Sequence, residues 1–441
     1  MTTEAAIAPY QSYVYAYPHK TAYQPLRDRP SLAELWRGER QHALSLYLHV
    51  PFCEVRCGFC NLFTRIGSPE GLTTAYLDAL DRQAGQVREA LDADARFALA
   101  AFGGGTPTYL TAGELERLCD IAEQRMGADL RAVPLSVEAS PDTATADRLR
   151  VLAERGTTRL SLGVQSFLDD EARAAVRPQK RAAVEAALGR VRDAGIPVLN
   201  IDLIYGIDGQ TEASWLQSLD AALAWRPEEL YLYPLYVRPL TGLGRHADGP
   251  SADWDEQRLR LYRAGRDHLL AEGYEQVSMR MFRRVGAATA SAGEYACQTD
   301  GMVGLGCGAR SYTSRLHYSF DYAVDAREVR RIIDGYVAAE DFSRAEYGWW
   351  MTPEESRRRH LVQSLLQGEG VDLTTYRQRF GAAPAEDFPA ELAEFAARGW
   401  LADGGGERLV LSAEGLAYSD AVGPRLFSAE VRERMAGYQA K

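Results

Sequence analysis

Three cysteines sit close together, Cys53, Cys57 and Cys60, with the spacing C-x3-C-x2-C. As thiolates they are soft ligands of the kind that hold iron–sulfur clusters. Three on one short loop can hold three irons of a [4Fe-4S] cube and leave the fourth without a protein ligand. That iron is then open to bind and reduce a substrate. Two other readings compete. Zinc usually takes four protein ligands and favours C-x2-C knuckles. A disulfide with a spare thiol is poorly suited to a cytosolic chain. The apolar run Leu46–Val50 ahead of the loop and Phe59 just before the last cysteine favour the cluster.

Such a loop needs a scaffold. Short apolar runs alternate with amphipathic stretches from Ser45 onward. The runs predict strands at Ser45–Val50, Phe97–Phe102, Leu135–Ala139, Arg159–Val164, Val198–Ile204 and Glu229–Leu235. Apolar residues at three- and four-residue spacing predict helices between them, over Thr74–Leu91, Ala112–Gln124, Thr143–Glu154, Arg181–Ala194 and Glu212–Ala224. Repeated strand–helix units imply a parallel sheet with crossover helices. Six units are too few to close an eight-fold barrel. The expected fold is therefore α/β, an open partial (β/α)6 TIM-like barrel, with ligands at the C-terminal ends of the strands.

Each strand exit then carries polar chemistry. The first carries the cysteine loop. The second is Gly103-Gly104-Gly105-Thr106-Pro107-Thr108, where glycines let backbone approach a ligand. The third ends on Glu138, a carboxylate that needs donors to offset its lost solvation; the other reading is a cap for the next helix. The fourth ends on Gln165, an amide with donor and acceptor together, followed by Arg177, suited to a two-pronged carboxylate contact. Asp202 interrupts the apolar run of the fifth strand, and the sixth exit, around Tyr236, is aromatic and proline-rich.

The loop and these exits resemble the radical S-adenosylmethionine (SAM) enzymes. Tyr47-Leu48-His49-Val50-Pro51-Phe52-Cys53 is similar to the branch of oxygen-independent coproporphyrinogen III oxidase, which also holds haem-chaperone-like proteins and class C radical SAM methyltransferases. So are the glycine run, Ser161–Phe167 and Asp202-Leu203-Ile204-Tyr205-Gly206. The resemblance implies that Cys53, Cys57 and Cys60 hold the cluster. It implies that Tyr47, Phe59, Gly103, Gly104, Gly105, Thr106, Glu138, Gln165, Arg177, Asp202 and Tyr236 surround SAM. Gln179 and Arg310 stand where the family has histidines. Tyr205, Gln298, Asp300, Gly306, Cys307 and Arg310 would border the substrate or a second SAM; for Cys307 and for Cys297, simple packing in a glycine-rich turn is the competing reading.

The chemistry so implied is reductive cleavage of SAM to a 5'-deoxyadenosyl radical, fed by an external donor of the flavodoxin or ferredoxin type. Leu62 occupies the place of a fourth cysteine carried by coproporphyrinogen oxidases of this type. The expected outcome is therefore methyl or methylene transfer from a second SAM to an sp2 carbon of a small natural-product substrate, by C-methylation or cyclopropanation, with a partner methyltransferase as a further candidate. A coproporphyrinogen oxidase-like or haem-degrading enzyme, or a haem-binding chaperone, is the alternative.

Bulk properties narrow the setting. The chain has 441 residues, 46% hydrophobic and 25% charged, enough for one large domain and smaller ones. A formal net charge of -11 argues against a general affinity for nucleic-acid backbones. No secretory signal and no apolar run of membrane-spanning length is visible, so a cytoplasmic location is expected. The expected division is a tyrosine-rich arm over 1–44, the barrel over 45–250, a barrel extension over 251–345, and a C-terminal winged-helix-like α+β domain over 346–441. The arm reads as a strap on the body, with closure over the mouth by stacking tyrosines as the other reading.

Overall fold

A computed structural model describes residues 7–245, 251–288, 301–439 and 441. Six parallel strands run side by side in chain order: Leu44–Val50, Phe97–Gly104, Leu135–Ala139, Arg159–Gln165, Val198–Tyr205 and Glu229–Pro234. Each starts where the sequence predicts, within a residue. The first and fifth are buried along almost their whole length, because helices cover one face and the barrel interior the other. Crossover helices Leu72–Ala90, Ala112–Asp120, Ala146–Glu154, Arg181–Asp193 and Glu212–Leu223 pack their apolar stripes on the sheet. Thr111 opens the second of them with a capping box to Glu114. That helix ends in a π-turn, Ile121–Arg125.

The sheet continues beyond both barrel edges. Met302–Leu305 pairs parallel with the first strand, and Arg310–Tyr312, Leu316–Ser319, Tyr347–Trp350 and Gln24–Pro25 follow antiparallel. On the far side Met281–Arg284 pairs antiparallel with the sixth strand and then with Tyr274–Gln276. These strands are two to four residues long, too short for alternation to reveal them. Trp349 and Trp350, near the expected start of the C-terminal domain, lie in a strand hydrogen-bonded to Leu316–Ser319.

The C-terminal residues form an α+β unit with its own core around Leu361, Tyr376, Phe395 and Trp400. Helices Pro353–Leu365, Leu373–Phe380 and Pro389–Ala397 precede a hairpin of Leu401–Ala402 with Arg408–Leu411. In the run Arg357-Arg358-Arg359, the first two pair with acidic neighbours and Arg359 is buried over the Tyr312 ring. Among the described residues no helix is long and apolar enough to cross a membrane.

Candidate active site

The cysteine loop is held by backbone. The Cys53 N–H donates to the Arg65 carbonyl at 3.0 Å and the Arg65 N–H to the Pro51 carbonyl at 2.7 Å. The Gly58 N–H reaches the Ala175 carbonyl at 3.1 Å, and the Leu243 N–H reaches the Gly58 carbonyl at 2.8 Å. The loop leaving the first strand is thus pinned to segments beyond the fourth and sixth. A Cβ on Gly58 would stand 2.8 Å from the Val176 Cβ, so only glycine allows this approach.

The three thiols are unbridged. Cys53 Sγ lies 3.5 Å from Thr106 Oγ1, Cys60 Sγ 3.9 Å from Thr64 Oγ1, and Cys57 Sγ accepts from Arg177 Nη1 at 3.1 Å. Burial pushes the Cys53 thiol up to about 12 and raises that of Cys60; Cys60 and Cys57 add to the first and Cys57 to the second. Such sulfurs keep their protons until a metal displaces them. Among the described residues no three His, Cys, Asp or Glu side chains converge on a point that could hold one ion. Three neighbouring thiols that do not share a point suit a cluster, one iron to each sulfur, better than zinc.

Around them stand the strand exits. A Cβ on Gly105 would approach Cys53 Sγ to 3.0 Å and the Phe52 carbonyl to 2.6 Å. Gly104 has φ 117, and its missing side chain makes room for the His49 ring. The Gly104 N–H donates to Glu138 Oε2 at 3.0 Å, so Glu138 does not cap the following helix. Glu138 keeps access to water through the mouth, yet protein surrounds it. Burial pushes its carboxyl up to about 7, with the Gly104 N–H opposing and Asp202 adding. Asp202 is held by Asn200 Nδ2 at 2.8 Å and the Ser161 hydroxyl at 3.1 Å, and burial raises its pKa too. Gln165 has φ 71, a left-handed conformation uncommon outside glycine and frequent at binding sites.

Arg177 is fixed on three sides, donating to Cys57 Sγ, to the Gly163 carbonyl at 2.5 Å and to Gln179 Oε1 at 2.6 Å. Gln179 is buried and donates to the Val164 and Ser166 carbonyls. It is a positioning residue for Arg177, a role the substitution for histidine did not suggest. Phe59 packs beside Ala175, Ile207 and Leu235, and Tyr47 hydrogen-bonds His49 Nδ1 at 3.2 Å.

The remaining candidate residues have protein neighbours of their own. Tyr205 is fully buried between Tyr10, Trp215 and Tyr262. Cys307 is 1% exposed against Tyr76, and burial pushes its thiol up to about 12. Both side chains belong to the hydrophobic core, Tyr205 beneath the arm's Tyr10 and Cys307 beside Tyr76 of the first crossover helix. The Gly306 N–H is tied to Gln83 Oε1 at 2.8 Å. The Tyr236 hydroxyl donates to Asp420 of the C-terminal unit. Gln298, Asp300 and Cys297 lie outside the described residues. Arg310 does reach the mouth, where it meets the arm. Tyr15 accepts from Arg310 Nη1 at 3.1 Å, Tyr13 lies under Arg280 at 3.9 Å, and Lys20 stands 3.5 Å over the Tyr322 ring. Tyr10, Tyr17 and Tyr23 bury into the body. The arm is thus strap and lining together. Tyr13 and Tyr15 meet the cations while Tyr10, Tyr17 and Tyr23 are buried, and only the count of aromatics marked them in the sequence.

The raised Glu138 carboxyl makes a pH prediction. An ordinary glutamate loses its proton near 4.5, this one near 7, so between those values the folded state holds more protons. Stability must fall as pH rises through that window. Glu138→Gln should flatten the decline in melting temperature of cluster-loaded, SAM-free protein between about pH 5 and pH 8. Calorimetry showing equal slopes for both proteins would remove this assignment.

Comparison with known proteins sets the site in a family. The profile described as Radical SAM superfamily matches residues 47–222, and that described as HemN C-terminal domain matches residues 351–418. The chain belongs to the radical SAM superfamily, in its oxygen-independent coproporphyrinogen III oxidase-like branch. This radical SAM chain is 28% identical to the oxygen-independent coproporphyrinogen III oxidase of Salmonella typhimurium over 405 residues, 87% of it and 86% of that relative. It is 28% identical to the heme chaperone HemW of Bacillus subtilis over 364 residues, 81% and 92% of the two chains. The solved coproporphyrinogen III oxidase HemN of Escherichia coli superposes with a TM-score of 0.77 at 23% identity, covering 94% of this chain and 96% of that one. That likeness shows the fold: the parallel partial barrel and the C-terminal α+β region.

Proposed function

We propose that this radical SAM protein is a coproporphyrinogen oxidase-like enzyme that takes hydrogen from a flat, carboxylate-bearing, tetrapyrrole-like substrate lying beneath the N-terminal arm. One observation carries it. The likeness to coproporphyrinogen oxidases runs through the cluster loop, the barrel extension and the C-terminal unit, not the barrel alone. When bound, a [4Fe-4S] cluster with one free iron supplies the electron that cleaves SAM to methionine and a 5'-deoxyadenosyl radical. An external donor of the flavodoxin or ferredoxin type completes the proposal.

The chain's own residues hold, aim and shield. Cys53, Cys57 and Cys60 hold the cluster. Arg177, locked by Gly163 and Gln179, keeps a cation beside Cys57. Gly103, Gly104, Gly105 and Thr106 let backbone approach the methionine portion of SAM. Glu138 spends one oxygen on Gly104 and keeps the other for ribose hydroxyls, with Gln165 and Asp202 beside it. The tyrosine-lined arm keeps water from the reacting centre.

A second reading has its own observation. Leu62, 48% exposed, stands where coproporphyrinogen oxidases carry a fourth cysteine, and this favours methyl transfer from a second SAM to an sp2 carbon. The relatives compared above bear the names of an oxidase and a chaperone, so methyl transfer rests on that departure alone. Anaerobic turnover with methyl-deuterated SAM separates the readings. Hydrogen-atom abstraction from the substrate puts no label in 5'-deoxyadenosine, whereas the two-SAM route does. Loading should give about four irons per chain. Stoichiometric haem binding with no 5'-deoxyadenosine at all would sink the enzyme reading in favour of a chaperone.

A further inference from the structure

Three deep arginines around this barrel have carboxylate partners. Arg159 meets Glu229, Arg258 meets Asp255 and Arg280 meets Asp420. Two cations at the mouth break the pattern. Lys20, from the arm, and Arg310, from the sheet extension, share the Tyr15 hydroxyl between them. They are near enough for their charges to repel, and Lys20 also feels Cys60. Among the described residues neither has an acidic partner; the other titratable groups around Arg310 include the phenols Tyr23, Tyr312 and Tyr322 and the imidazoles His19, His49 and His317.

Holding two like charges in a crowded interior without a counter-charge is costly. The cost is recovered if a ligand brings the anion. Arg310 offers a planar fork that matches a carboxylate, and Lys20 a rotatable point charge beside it. The Tyr322 ring under Lys20 and the Tyr15 ring under Arg310 flank the pair with flat aromatic surface. Arg177 is a separate cation, committed to Cys57, Gly163 and Gln179. We propose that Lys20 and Arg310 form a two-cation clamp that recognises a carboxylate of the substrate on the arm side of the mouth. The clamp rests on the substrate class proposed above and adds its point of recognition.

The test is anaerobic binding to cluster-loaded protein, using coproporphyrin III, a flat tetracarboxylate, and its tetramethyl ester as probes. Wild type should bind the acid at least about tenfold tighter than the ester. Arg310→Met and Lys20→Met should each weaken the acid roughly ten- to hundredfold and hardly affect the ester, with Arg310→Lys recovering part of the loss. Iron content and melting temperature are read alongside. The clamp is refuted if wild type fails to prefer the acid, a comparison that needs no variant. It is refuted equally if iron-replete Arg310→Met keeps wild-type affinity, since the two cations would then merely balance the cluster's charge. Binding needs no turnover, so absence of 5'-deoxyadenosine in wild type would overturn the enzyme reading without deciding the clamp.

Discussion

Cys57→Ala is expected to abolish reductive formation of 5'-deoxyadenosine while leaving the fold standing. Backbone hydrogen bonds brace the loop. The Cys60 N–H closes on the Cys57 carbonyl at 3.1 Å, and Gly58 is bonded on both sides, to Ala175 and to Leu243. Alanine keeps every one of these backbone bonds. What it removes is the sulfur that accepts from Arg177 Nη1 and the third anchor of the cluster. With two thiols left, one of the three anchored irons loses its protein ligand. Iron per chain should fall steeply, and the melting temperature of the metal-free protein should stay close to wild type. Unchanged turnover would show that these cysteines do not hold the working cluster.

The largest stability effect is expected at Asp420. Its side chain is 1% exposed and accepts from Arg280 Nη2 at 2.5 Å and from the Tyr236 hydroxyl. Arg280 in turn lies over the Tyr13 ring, and the Asp420 carbonyl accepts the Ser12 N–H at 3.2 Å. One carboxylate therefore joins the arm, the sixth strand exit and the C-terminal unit. Asp420→Ala leaves a buried guanidinium unpaired, which costs about 3–5 kcal/mol. Arg280→Met added to it should return part of that loss, because the orphaned charge is gone. Asp420→Asn, which keeps the shape, should fall between. Denaturant unfolding measures all four proteins; an alanine variant within about 0.5 kcal/mol of wild type would mean the latch carries no load.

The legible part of this protein is the part written in short-range spacing. The six barrel strands were visible because each carries a short apolar run, buried almost throughout in the first and fifth, and their helices because apolar residues recur at helical period. The cysteine loop and the glycine exit were visible because their residues are neighbours in the chain. The two- to four-residue strands that extend the sheet were not, since a run that short has no period to read.

The side chains of the mouth divide along the same line. That cysteines, a glycine run, Glu138, Gln165, Arg177 and Asp202 belong to strand exits followed from the order of residues alone. Whether a given residue at such a place is open or buried did not. Cys307 and Tyr205 look like chemistry and are core; Gln179 looks like a lost histidine and is a brace. Arg310 and Tyr15 are 295 residues apart in the chain, and Arg280 and Asp420 are 140 apart. Local sequence determines backbone conformation and ligand spacing, because those depend on neighbours. Only tertiary packing decides which distant charges meet and which are left without a partner, because burial and counter-charge are properties of the assembled interior.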